Sequence, residues 1–206
     1  MKNPAHLLLM LALFGSAGQA FAGDFYVAGS IGQSKILNAV KSELDSDLIS
    51  GGATNLSSTF KDSDTGYKLL AGYQFNPYLG VEGGYIDLGK VKYTVTATQG
   101  NGSLTWKAKG WLASAVGTLP INDSFGVFAK LTAFRSEVAW TASATGTLDF
   151  NESYSGTKLK AAYGVGATYH LNKEVGFRLE YERFDKLGDV NSDNVELVSA
   201  GVVYKF

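Results

Sequence analysis

The chain has no cysteine, only 3 prolines in 206 residues, and 2 histidines, of which one, His170, lies beyond residue 22. The missing thiols exclude disulfides, thiolate nucleophiles, cysteine metal sites and a lipid-anchored N-terminus together. Charge is almost balanced, at a formal net −1, so charge alone implies neither nucleic acid nor anionic lipid as a partner. Past residue 22 there is no run of about 20 apolar residues, and no membrane-spanning helix is expected. What the chain does have is 25 glycines and 13% aromatic residues, a composition that suits closely packed strands better than long helices.

The N-terminus reads as an export signal. Lys2 supplies the positive start, residues 7–14 a short apolar run, and Ala20-Phe21-Ala22 a small-x-small cleavage site. Residues 1–22 are therefore taken as a cleaved signal peptide and residues 23–206 as one domain. An exported chain without a spanning helix can cross a membrane only as a closed barrel, because backbone polar groups in lipid must all be paired.

From Asp24 onward the sequence alternates with a period of two in eight segments of about ten residues. Phe25, Val27 and Ile31 oppose Tyr26, Ala28 and Ser30. Leu69, Ala71, Tyr73 and Phe75 oppose Lys68, Gly72 and Gln74. Later segments set Val81 and Tyr85 against Glu82, Leu131 against Lys130, and Phe177, Leu179 and Tyr181 against Arg178 and Glu180. The fourth segment is the weakest, since Leu112 and Val116 blur its pattern. Short turns are expected at Asn76-Pro77, 120–124 and 172–174, and long polar loops at about 35–64, 89–104, 137–156 and 185–194. The first of these loops, rich in Ser, Asp, Gly and Asn, is expected to be mobile. The fold class is all-β: an eight-stranded antiparallel up-and-down transmembrane β-barrel.

Alternation alone does not separate this from a soluble barrel, whose apolar face points inward. Small residues share a face with Lys130, Arg178 and Glu180, which suits a narrow polar interior. Apolar-face aromatics gather at two levels: Phe25, Phe75, Phe125, Tyr169, Tyr204 and Phe206 at one, and Tyr85, Trp111 and Tyr181 at the other. Two girdles mark the two membrane interfaces.

Four runs carry a family resemblance: AGYQFNPYLGVEGGYIDLG at 71–89, KGWLASAVGTLPIND at 109–123, FRLEYERFDKLGDV at 177–190 and SAGVVYKF at 199–206. They resemble strands of the transmembrane barrel of the outer membrane protein A family. The resemblance is to the barrel alone, so the peptidoglycan-binding domain of two-domain members is not implied. It does imply an interior cluster of two acids, an arginine and a lysine, matched here by Glu82, Thr168, Arg178 and Val116. One acid and the lysine are thus replaced, leaving a Glu82–Arg178 pair with Lys130 and Glu180 nearby.

The candidate site is accordingly a lumen charge cluster of Glu82, Lys130, Arg178 and Glu180, expected to balance itself because unmatched buried charge is costly. The terminal Tyr204-Lys205-Phe206 resembles an assembly signal, carried by Tyr204 and Phe206. No catalytic residues, metal ligands or cofactors are expected. His170 sits beside a short turn, away from the outer rim where an acid–base pair would work. Asp45, Asp47, Asp62 and Asp64 read as a solvated loop without calcium-site spacing. The expected location is the cell outer membrane, as a monomer. The expected partners are outer-membrane lipid and lipopolysaccharide, the assembly machinery, and any extracellular partner through 35–64 and 137–156. A structural envelope role with at most narrow solute passage is the first functional reading, a surface adhesin the second and a small porin the third.

Overall fold

The structure is a computed structural model that describes residues 23–37, 40–147, 149–187 and 194–206. The signal segment 1–22 lies outside the described residues. The described residues form nine strands and one helix, in order: β1 (Asp24–Ile36), α1 (Val40–Ser50), β2 (Ser57–Lys61), β3 (Ser63–Asn76), β4 (Leu79–Ala97), β5 (Gly100–Pro120), β6 (Phe125–Gly146), β7 (Phe150–His170), β8 (Val175–Phe184) and β9 (Val195–Lys205). All pairings are antiparallel, and β1 and β3–β9 close a ring of eight, β9 pairing back onto β1. Short β2 adds to the outer part of β4.

The three short turns use one device. The side-chain oxygen of Asn76 accepts backbone N–H bonds from Tyr78 (2.8 Å) and Leu79 (2.9 Å). Asn122 does the same for Ser124 and Phe125, and Asn172 for Glu174 and Val175. Asparagine stands in for a backbone acceptor there and reverses the chain tightly.

Every outward position read from the alternation is outward. Leu69, Trp111, Leu131, Leu179 and Val198 are each at least 60% exposed on the barrel wall, which in a bilayer means lipid-facing. The two aromatic levels also form: Phe25 and Tyr73 pack at 4.7 Å between ring centres, and Tyr85 and Trp111 at 5.4 Å. Leu112 and Val116 point into the lumen, where both are buried.

The long connections depart from expectation. Residues 89–104 and 137–156 are mostly ladder: β4 pairs β5 out to Ala97–Gly100, β5 pairs β6 out to Gly100–Gly146, and β6 pairs β7 out to Ala144–Phe150. Above a membrane both faces of a hairpin meet water, so polar residues that read as loop are compatible with strand. In place of a mobile 35–64 loop, α1 and β2 are anchored through Asp45, which accepts hydrogen bonds from Lys41 (2.8 Å), Ser58 (2.9 Å) and Tyr93 (2.5 Å). These bonds, that from Lys41 foremost, hold the Asp45 carboxyl down at about 2, while burial and the Asp45 bond push the Tyr93 phenol up to about 12. Of the expected 185–194 loop, 188–193 lie outside the described residues.

Candidate functional site

Period two points every second side chain inward, and in an eight-stranded barrel the interior is only wide enough for those side chains to fill. Four strands bring six charges to mid-lumen: Lys68 from β3, Glu82 from β4, Lys130 from β6, and Arg178, Glu180 and Glu182 from consecutive inward positions of β8. Three cations face three carboxylates, a net of zero.

The four residues expected to cluster do meet. Arg178 forms a two-pronged contact with Glu82, through one short hydrogen bond and a second at 3.3 Å. It also reaches Glu180 at 3.4 Å, and its guanidinium lies 4.1 Å from the centre of the Phe128 ring. Lys130 pairs with Glu180 and lies 4.0 Å from Glu82. Two further members were not anticipated. Lys68 pairs with both Glu180 and Glu182, and Lys130 reaches Glu182 at 2.5 Å. Parity held the clue, since Glu182 follows Glu180 by two and Lys68 shares a face with Gly72. The partnership did not show, because Lys68 and Glu182 are 114 residues apart.

Tyr26 completes the lower side by donating its hydroxyl to Glu82 at 2.8 Å. Gly72 makes this reach feasible: a β-carbon there would come within 2.2 Å of the Tyr26 ring. The replaced family positions also find an explanation. Val116 stands in register with Lys130, and Thr168 with Arg178. The lysine has moved to the neighbouring strand, and the second acid is supplied from β8.

A narrow polar interior was the expectation; towards the hairpin end it carries an apolar layer instead. Leu70, Ile86, Leu112, Phe134, Phe184 and Leu197 form a buried layer at most 5% exposed. Phe134 and Phe184 meet edge to face at 5.2 Å. The side chains of Lys68, Glu82, Lys130, Glu180 and Glu182 beneath are no more than 1% exposed. Charges confined this way are held by one another, because a lone ion without water is too costly.

A family model for the OmpA-like transmembrane domain matches residues 20–206. The chain belongs to that family. Among curated relatives, outer membrane protein A of Salmonella typhi is 30% identical over 151 residues, which is 70% of this chain and 41% of the relative. That of Klebsiella aerogenes is 26% identical over the whole chain and 55% of its own length. The chain thus spans about half the length of the curated relatives it matches. Among solved structures, Yersinia pestis Ail, the attachment invasion locus protein, superposes with a TM-score of 0.53 at 18% identity, covering 89% of this chain and 99% of Ail. Neisserial surface protein A gives 0.52 at 19% identity, covering 88% and 97%. These structures share the barrel fold. The OmpA-like chain is a β-barrel protein of the cell outer membrane, with lipid and lipopolysaccharide as its surroundings.

Proposed function

We propose that this barrel is a structural, non-catalytic, monomeric element of the outer membrane whose lumen does not conduct freely. One observation supports this above others: a charge-neutral network of six residues lies under a continuous apolar layer, and both cross the whole lumen. An ion would have to break the network and then shed its water against phenylalanine and leucine, two barriers in series. The experiment is single-channel recording of the refolded, verified monomer in a planar bilayer. Rare and small conductance steps are expected; long-lived, large openings would make it a porin. His170, at the end of β7 beside a short turn, is no base for outer-leaflet chemistry, and lipid A mass spectra are expected to be the same with and without the protein.

A second reading, surface recognition, draws on the projecting hairpins of β4–β7. Trp106, Trp140 and Tyr154 stand in one row across β5, β6 and β7, Trp140 and Tyr154 stacked at 6.2 Å and Tyr154 half exposed. Exposed aromatics on a rigid ladder make good anchors for a partner, and the fold is shared with an attachment protein. Loss of cell attachment when 137–156 is shortened, with the barrel intact, would promote this reading. Residues 1–22 are assigned as the cleaved signal, and Tyr204 and Phe206 as the assembly signal. Deleting Phe206 is expected to slow insertion in cells while sparing refolding in detergent; normal surface display would remove that assignment.

A further inference from the structure

Just above the outer aromatic girdle, the barrel wall is charged on all sides but balanced on only one. Within strands β1, β8 and β9 the outward cations near this level have acids: Lys35 meets Asp62 at 3.6 Å, and Arg183 meets Asp185 at 3.5 Å and Glu196 at 3.9 Å. On the β2, β4, β5 and β6 side the outer surface carries Lys61, Lys90, Lys92, Lys107, Lys109 and Arg135, all exposed. Among the described residues, Lys61 alone of these has a carboxylate within ion-pair distance, Asp64 at 3.4 Å.

The ladder register puts these cations on one continuous face. Lys61 stands directly opposite Lys92, and Lys90 directly opposite Lys107. Lys109 stands opposite Asp87 and Glu137, and Arg135 opposite Trp111 of the girdle. A bulge creates the arrangement. Gly89, at φ 76°, breaks the register between Asp87 and Lys90, so Val91 and Tyr93 turn inward and Lys90 and Lys92 outward. The acids nearby are Asp64, Asp87 and Glu137, leaving six cations against three acids, a net of +3. Asp87 is further engaged, accepting bonds from the Tyr67 hydroxyl and the Gly89 N–H, and Asp64 accepts one from the Lys90 N–H.

Like charges directly opposite in a ladder repel, and native sheets usually avoid them. Two such pairs side by side, with the Lys61–Asp64 contact as the one carboxylate ion pair among the described residues to offset them, favour an external anion. The patch begins at Trp111 and Tyr85, where the apolar belt ends, so its ammonium groups sit at the height of outer-leaflet headgroups. We propose that this face binds the phosphates of a phosphorylated glycolipid of the outer leaflet, lipid A. One phosphate would sit between Lys90 and Lys107 and another between Lys61 and Lys92, with the acyl chains on the belt below. The proposal rests on the hairpin end of the barrel facing outward.

The test uses the full chain refolded into phosphatidylcholine nanodiscs doped with bisphosphorylated lipid A or with its dephosphorylated form, reading co-retained lipid by native mass spectrometry. Wild-type protein is expected to retain the phosphorylated form about tenfold more, a preference that high salt weakens. The doubles Lys90→Gln/Lys107→Gln and Lys61→Gln/Lys92→Gln are each expected to lose most of that preference. The double Lys35→Gln/Arg183→Gln, on the balanced side, is expected to keep it. Wild-type protein that does not distinguish the two lipids overturns the proposal without any variant. So does an equal loss in the control double, or binding of a soluble sulfated oligosaccharide as tightly as lipid A. Labelling of Thr145→Cys on whole cells by an impermeant maleimide reads orientation separately: labelled protein without lipid preference refutes the site alone.

Discussion

The barrel has a short wall and a tall one. Strands β8, β9 and β1 run for 10, 11 and 13 residues, little more than a tilted membrane crossing needs. Strands β4–β7 run for 19 to 22 residues and are longer by about 30 Å along the strand, at roughly 3.4 Å per residue. The same alternation serves both, yet its meaning changes with the solvent. In the membrane the outward set must be apolar; above it the outward set turns to Lys107, Lys109 and Thr141 on the very strands that carry Trp111 and Leu131 below. The short wall compensates for length with charge, since β8 supplies three of the six lumen charges within its ten residues.

The most damaging way to break this comparison is to unbalance the short wall. Glu180→Ala leaves Lys68, Lys130 and Arg178 with two carboxylates, and is expected to cost about 3–5 kcal/mol, less if water enters. Reversible urea unfolding in lipid vesicles measures it, and a loss under about 1 kcal/mol, the scale of an exposed pair, would mean the network contributes little. Next in size is a contrast along one strand. Leu131→Arg at mid-membrane should destabilise by about 2–4 kcal/mol, whereas Thr141→Arg in the tall extension should stay within about 0.5 kcal/mol. Equal costs at the two sites would erase the boundary drawn between membrane and extension.

The smallest expected effect sharpens the picture of the outer end. Asp45 titrates at about 2 in the folded protein, below its ordinary 3.8. Its contribution to holding α1 is therefore complete above about pH 4 and is lost as pH falls through about 2. Asp45→Asn should lower the protection of the α1 amides, measured against their intrinsic exchange rate, at neutral pH, with the barrel strands unchanged. Equal protection of α1 in both proteins at neutral pH would show that the Asp45 bonds do not hold it.

Much of this was legible because it is local. Alternation assigned inside and outside for each of the eight barrel strands, since a strand turns successive side chains to opposite faces whatever its neighbours do. Asn76-Pro77 and the short stretches 120–124 and 172–174 announced the turns, and the aromatic positions announced the girdles. The extensions of β4–β7 were read as loops because polar alternation in water looks the same whether a strand is paired or not. The outer apolar layer escaped because Leu70, Ile86 and Phe134, each correctly inward by parity, signify a seal only when seen at one height.

The sequence by itself, then, determined an outer-membrane barrel, its strand count and its two faces, through patterns that never reach beyond neighbouring residues. Only the tertiary structure decided which inward residues meet. Closing a barrel staggers its strands by a fixed shear, and that stagger sets Lys68 against Glu182 and the Lys130 of one strand beside the Val116 of the next. It was likewise a single bulge at Gly89 that reversed the parity of β4 and brought Lys90 and Lys92 to the outer surface. An extra residue in a ladder is a property of the pairing, visible only once both strands are in place.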